Sequence, residues 1–350
     1  MKIRFQLLAT ICILGCADAS TSERKRDTVA LAVATDSIVD LTRPEIILEL
    51  STGSVLIPDS GLPGLLKIDM VTGRQDTIGR AGDGPGEFRT PSFVQELAGG
   101  RVAVLDGLAR RITIWSPSLA FEQNLQPPAA LSPFLLRFDS LGNAYSTQTP
   151  NGPFQPHDSL AVLRVRVGTQ TVDTIAFVQR LQTTMLQIGA TMMGVPAEYA
   201  SRDLWGVLPD GTVWIGRGER RELEIIRRDA RRTTYALPFA ATPTVDADRK
   251  RFRGLPAPAE VAAAVRPMAP VKGPFQEIRA DAAGHFFLWL NQPAGYVEEL
   301  YAEFNSEGQW IRTIRLPAAT KIIAVGIASV YSAQEATDGS WILRRHPRPR

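Results

Sequence analysis

Residues 79–115, GRAGDGPGEFRTPSFVQELAGGRVAVLDGLARRITIW, constrain the fold more than any other stretch of the chain. A Gly/Pro-rich crossing leads into an apolar run, a Gly99-Gly100 turn, a strand at 102–106, a second turn and a strand at 111–115. Weaker copies of the second half recur along the chain, and short strands punctuated by glycine turns are an all-β signature. Self-similarity of this kind marks a repeat architecture whose units stack on one another. The expectation is an all-β chain folded as a six-bladed β-propeller with four-stranded antiparallel blades.

Taken in order, blade one is expected at 45–50, 55–58, 65–69 and 76–78, and blade two continues the crossing through 102–106, 111–115 and 121–125. Blade three is read at 134–138, 143–146, 161–167 and 172–177, with a Pro/Asn/Gly-rich insertion at 148–156. Blade four takes 204–208, an Asp210-Gly211 turn, 212–215, 222–227 and 233–237, and Asp-Gly between apolar runs is a strong hairpin signal. Blade five takes 275–280, 286–290, 300–305 and 310–316. Blade six, at 321–325, 329–332, 334–337 and 341–345, lacks a good fourth strand. The β-rich segment 28–35 (TVALAVAT) is therefore assigned as the N-terminal strand that closes the ring, because closure removes exposed sheet edges. Two segments break the pattern, 181–200 and 242–274, the second with a short helix expected at 259–265 behind Pro258. Both fall between blades, where long loops on a rigid scaffold carry function.

The N-terminus gives an address. Lys2 and Arg4 precede an apolar segment at 5–14 that is too short to anchor in a bilayer, which is the form of a secretory leader. It ends in Ile13-Leu14-Gly15-Cys16, which resembles the bacterial lipobox. That resemblance implies a lipoprotein signal peptide at 1–15, lipidation of Cys16 and a membrane partner through the lipid anchor. Ala17 in place of aspartate favours the periplasmic face of the outer membrane. Residues 16–27 read as a flexible tether, which leaves 28–350 as one propeller domain. Cys12 and Cys16 are the only cysteines, so the folded part has no disulfide, thiol nucleophile or cysteine metal site. The 39 basic residues barely exceed the 36 acidic ones, and Lys2 and Arg4 belong to the leader. No concentrated basic face is indicated, and no nucleic acid is expected as a partner.

The run Gly79-Arg80-Ala81-Gly82-Asp83-Gly84-Pro85-Gly86-Glu87-Phe88, followed by Pro91, by 100–106 (GRVAVLD) and by Arg111-Ile112, resembles the NHL-type repeat. With the lipobox and six blade-like units, the chain is similar to the exported six-bladed propeller lipoproteins of bacteria. The match is good in blade two, fair in one, four and five, and poor in three and six. It implies a fold and an address more than an activity, since propellers host hydrolases, lyases and binding modules alike.

The glycine run at 79–86 has no Gly-Lys-Ser/Thr ending and leads into a strand, so no helix N-terminus faces a phosphate and no nucleotide is expected. No G-x-S-x-G nucleophile elbow occurs. In lactonase-like propellers, side chains from several inner strands converge on a calcium-like ion at the channel mouth. By that likeness Glu45, Glu49, Glu96, Asp139, Glu277 and Asp281 are candidate ligands for Ca2+, which takes oxygen donors; the other reading is that they solvate the channel. His157 lies in the blade-three insertion, within reach of a central face, or is an ordinary surface histidine. Met185, Met192 and Met193 either line an adaptable apolar pocket or pack their insertion against the blades. Residues 217–232 alternate charge as a solvated outer hairpin does, and the tail at 344–350 reads as a frayed terminus or as a contact to anionic lipid. Two functions fit. One is a binding or scaffold module whose insertion-roofed face meets a cell-envelope protein, peptide or glycan. The other is a divalent-metal-dependent lactonase- or esterase-like hydrolase with its metal at the channel mouth.

Overall fold

The computed structural model describes residues 27–32, 36–41, 44, 46–58, 62, 64–132, 136–148, 159–166, 171–179, 183–188, 191–253 and 267–349. The expected signal peptide and Cys16, and the tether apart from Asp27, lie outside the described residues.

Among the described residues the strands form six four-stranded antiparallel blades. Blade one holds Leu48–Glu49, Ser54–Pro58, Leu65–Asp69 and Gln75–Ile78, and blade two Pro91–Glu96, Val102–Asp106, Arg111–Trp115 and Phe121–Leu125. Blade three holds Arg137–Phe138, Asn143–Thr147, Ser159–Arg166 and Val172–Gln179, and blade four Leu204–Val207, Val213–Arg217, Glu222–Ile226 and Arg232–Ala236. Blade five holds Phe275–Ala280, Phe286–Leu290, Glu299–Phe304 and Trp310–Leu316. Blade six combines Thr320–Val325, Ser329–Glu335 and Trp341–Pro347 with an outer strand, Asp36–Leu41.

The middle strands explain why the repeat folds this way. Val102–Asp106, Arg111–Trp115 and Asn143–Thr147 are buried at every position, so both faces of these strands need a partner. Six apolar layers supply it, one at each blade boundary. Leu56 and Leu65 meet Val94 and Trp115 between blades one and two, and Leu105 and Ile114 meet Phe138 and Leu163 between two and three. Val162 and Val178 meet Ile215 and Ile226 between three and four, and Trp214 and Ile225 meet Phe275 and Phe304 between four and five. Tyr301 and Ile314 meet Ile322 and Val330 between five and six. The sixth layer joins Tyr331 and Leu343 of blade six to Val55 and Ile68 of blade one, with Leu41 among them.

The N-terminal assignment needs a correction. Thr28–Ala30, the start of the segment expected in blade six, instead runs parallel to the outer strand of blade five, Thr28 opposite Thr313 and Ala30 opposite Arg315. Val29 and Leu31 pack there against the layer between blades five and six. The strand added to blade six is Asp36–Leu41, antiparallel to Trp341–Pro347 and leading directly into blade one. The C-terminal tail is also not frayed. His346 is 6 % exposed, with Nε2 2.7 Å from Ser332 Oγ and Nδ1 2.9 Å from the Ala32 carbonyl oxygen, and Arg348 pairs with Asp281 at 2.6 Å.

Because strands alternate in direction, the first-to-second turns and, in blades one to five, the third-to-fourth turns share one side of the disc, the turn face. The second-to-third loops and the crossings between blades share the other, the insertion face. The turns follow from sequence: Asp139, Asp281 and Asn305 each accept the backbone N–H of the residues two and four further on, around glycines at φ 81°, 82° and 70°. The crossing at 79–90 is held similarly. Fully buried Asp106 accepts the backbone N–H groups of Arg89, Thr90 and Ala109, at 2.7, 3.1 and 3.1 Å.

Both insertions carry structure of their own. The first contains a hairpin of Thr183–Ile188 and Thr191–Pro196, and the second a helix, Asp246–Arg253. The helix expected at 259–265 lies outside the described residues. Among the described residues no helix is long and apolar enough to cross a membrane.

Burial holds the His346 pKa below the ordinary histidine value, so the imidazole is neutral in the folded chain and charges more readily once unfolded. Its contribution is complete above about pH 6.5 and falls as the pH drops below that value. His346→Gln is expected to flatten this part of the stability profile, measured as urea midpoints from about pH 5 to 8; an unchanged slope contradicts it.

Candidate functional site

The connection at 291–298 in blade five is much longer than a tight hairpin turn, and Pro293 with Gly295 (φ 89°) turns it out over the insertion face. Beside it the two insertions are joined through their main chains. Glu198 N–H donates to the Pro267 carbonyl at 2.9 Å, Ala269 N–H to the Glu198 carbonyl at 3.0 Å, and Gly273 N–H to the Tyr199 carbonyl at 2.9 Å. Thr242–Pro243 pairs with Val271–Lys272 at the base of the second insertion.

Lys272 locks these pieces together. Its ammonium donates to Asp248 Oδ1 at 2.6 Å and to the Gln292 carbonyl at 2.7 Å, and lies 4.6 Å from the centre of the Tyr199 ring. Asp248 uses its other oxygen to accept Val245 N–H at 3.0 Å, reaching back over the first turn of the helix. Both side chains of the pair are at most 4 % exposed, so the charges neutralise one another away from water.

Between the helix, the loop and the inner strand of blade five lies a cavity of about 400 Å³, walled by Tyr199, Lys272, Gln276, Gln292, Tyr296 and Glu298. Two polar atoms of its walls, Asn291 Oδ1 and Gln292 Nε2, are buried without a hydrogen-bond partner among the described residues. Unmatched buried donors and acceptors are costly, about 1–3 kcal/mol each, and are commonly met by ligand or water. Tyr296 and Val297 stand exposed at the rim, while Glu299 is held by the Trp289 indole N–H at 2.9 Å. The site thus gathers the amide residues Asn291 and Gln292 and the rings of Tyr199 and Tyr296 around one cavity.

The inner strands carry a second polar feature. The Gln95 side-chain amide bridges to blade three, accepting Phe138 N–H at 2.9 Å and donating to the Phe138 carbonyl. Arg137 lies 4.1 Å over the Phe93 ring and donates to the Leu136 carbonyl at 3.0 Å. Burial, together with the like charge of Arg279, pushes its pKa down to about 10.

Among the described residues the candidate carboxylates take separate places. Glu45 and His157 lie outside the described residues. Glu49 accepts the Tyr331 hydroxyl at 2.8 Å at the boundary of blades six and one, and Glu96 closes the inner strand of blade two. Asp139 is engaged by its own turn, by Asn143 Nδ2 at 2.6 Å and by the Tyr145 hydroxyl at 2.9 Å. Glu277 pairs with Arg279 on the inner strand of blade five, and Asp281 with Arg348. Among the described residues no three His, Cys, Asp or Glu side chains are placed to hold a metal ion. Met185 is exposed on its hairpin, opposite Gly194, while Met192 and Met193 lie on the partner strand. The cavity residues were missed by sequence reading, although the long Asn-Gln-Pro-Ala-Gly-Tyr connection was a visible signal.

No protein-family model matches the sequence, and no curated protein does. Solved structures share the six-bladed fold. A member of the DUF4221 family from Bacteroides vulgatus superposes with a TM-score of 0.52 at 9% identity, covering 90% of this chain and 97% of that one. A putative exported protein from Bacteroides fragilis gives 0.51 at 11% identity, covering 92% and 99%. A gluconolactonase from Xanthomonas campestris gives 0.49 at 12% identity, covering 92% and 99%. The likeness to the two Bacteroides structures is one of fold alone.

Asp248→Ala is expected to leave the buried Lys272 ammonium without its counter-charge, at a cost of about 3–5 kcal/mol confined to the insertion face. Hydrogen exchange should accelerate in Asp246–Arg253 and at 291–298 while the blade strands keep their protection; uniform acceleration across the blades contradicts this.

Proposed function

We propose that the protein is an exported, lipid-anchored binding module that holds a polar ligand of the cell envelope, a saccharide or a peptide, on its insertion face. The observation that supports this most is the cavity where the two joined insertions meet blade five, with the unpartnered amide atoms of Asn291 and Gln292 in its walls. Amide side chains and tyrosine rings in one wall match the hydroxyl, amide and ring surfaces of such ligands. The Lys272–Asp248 pair fixes the walls in advance, which reduces the ordering cost of binding.

The test is a saccharide and peptide array probed with the full chain. Gln292→Ala and Tyr296→Ala should each weaken capture of the array ligand at least tenfold with no change in the unfolding transition. Unchanged capture by both variants, or chelator-sensitive ester turnover by the parent protein, overturns the reading.

The anchor is tested separately. Cys16→Ser should move the protein from the membrane fraction to the soluble fraction and abolish incorporation of labelled fatty acid; a variant still in the membrane fraction contradicts lipidation at this residue.

A further inference from the structure

The sequence at 217–232 holds seven arginines and four acidic residues, and the fold sorts these charges. Arg217 takes Asp203 at 2.7 Å and Glu224 at 2.6 Å, and Arg232 takes the other oxygen of Glu224 at 2.7 Å. Asp229 accepts the N–H of Arg231 in the turn it belongs to, at 3.0 Å. The acids nearest the turn are thereby engaged, and Arg227 and Arg228 remain on the turn face with no ion pair among the described residues. Arg227 Nε is buried and has no hydrogen-bond partner among the described residues.

These two arginines face blade three across a groove. It comprises two adjoining cavities, one of about 300 Å³ and one of about 160 Å³, which share Arg164 and Arg228. Arg166 lines the larger, and Arg227 and Arg232 the smaller. Arg164 is oriented by Asp173 at 2.8 Å and by the Tyr145 oxygen, and among the described residues Asp173 is the one carboxylate in the walls. Burial, reinforced by Asp139, pushes the Tyr145 pKa up, so that hydroxyl stays neutral.

We propose that this groove between blades three and four binds a phosphate group, presented either by a soluble phosphomonoester or by a lipid headgroup. Guanidinium groups approach one void from blade three and from the turn of blade four. A planar carboxylate satisfies one such fork, whereas the tetrahedral oxygens and double charge of a phosphate satisfy several from different directions. The second source has a geometric basis. Thr28–Ala30 runs parallel to the outer strand of blade five, so the chain enters the fold from the turn face. An anchor at Cys16 would then hold the groove toward the headgroups. The inference is independent of the insertion-face cavity.

The test uses the purified full chain at fixed ionic strength, titrated calorimetrically with inorganic phosphate against a chloride blank. In parallel it is floated with phosphatidylcholine vesicles with and without phosphatidic acid. The expected result is saturable binding of one or both phosphate probes, weakened at least tenfold in the double variant Arg227→Gln/Arg228→Gln and unchanged in Arg231→Gln, whose side chain lies outside both cavities. Arg228→Gln alone, at an exposed position, should show a smaller loss and guards against a folding defect in the double variant. Phosphate binding without vesicle capture assigns the soluble ester, and vesicle capture alone assigns the headgroup. Absence of both, or equal binding by the parent and both groove variants, overturns the proposal.

Discussion

The structure depends on apolar packing between blades. A four-stranded sheet whose middle strands are buried at every position has no solvent face to offer, so a single blade exposes apolar surface on both sides. Each fully buried Val, Leu, Ile or Phe contributes about 1.5–3 kcal/mol relative to exposure, and every layer contains several. A ring is the arrangement in which each blade has two neighbours. The layer between blades six and one is special because it joins sequence-distant parts: Leu41 from the N-terminal strand packs with Leu343 from the C-terminal one. His346, touching Ser332 and the Ala32 carbonyl, adds a polar tie on the opposite side of blade six, at its boundary with blade five.

A rigid disc of this kind leaves its two faces free to differ. On the insertion face, chain length was added between blades three and four, between four and five, and within blade five. These additions bond to one another before they enclose the cavity. The turn face is made of short, glycine-supported corners, and its chemistry comes from side chains at strand ends. There carboxylates such as Asp139 and Asp281 serve the corners and their neighbours, while arginines fill the boundary between blades three and four. One face thus offers amides and aromatic rings, the other cationic forks.

Strand positions in blades two, four and five were legible in the sequence because local signals agreed: apolar runs, Gly-Gly or Asp-Gly turns, and regular spacing. Blade six was harder, since its fourth strand, DSIVDL, is less β-rich than the TVALAVAT run preceding it. The choice between them rests on Leu41 reaching the blade-one layer, a long-range contact that no local pattern announces. The helix Asp246–Arg253 has almost no apolar stripe and is held by Asp248 and Lys272, residues 24 positions apart. Candidate carboxylates were selected by type and by strand, yet the role of Asp139 is set by the backbone N–H groups of its own turn. The alternating charges at 217–232 were visible, but which of them would be neutralised depended on Asp203 from the neighbouring strand. The cavity combines residues from three distant segments, and spacing along the chain does not encode such a meeting.

The most direct test of the account is a crystal structure of the protein with the saccharide or peptide it captures. The expected result is ligand density between Tyr199, Gln292 and Tyr296, with the Asn291 and Gln292 side-chain amides hydrogen-bonded to it and the Lys272–Asp248 pair unmoved. Density confined to the turn face or to the central channel, with the insertion-face cavity holding only water, would contradict it.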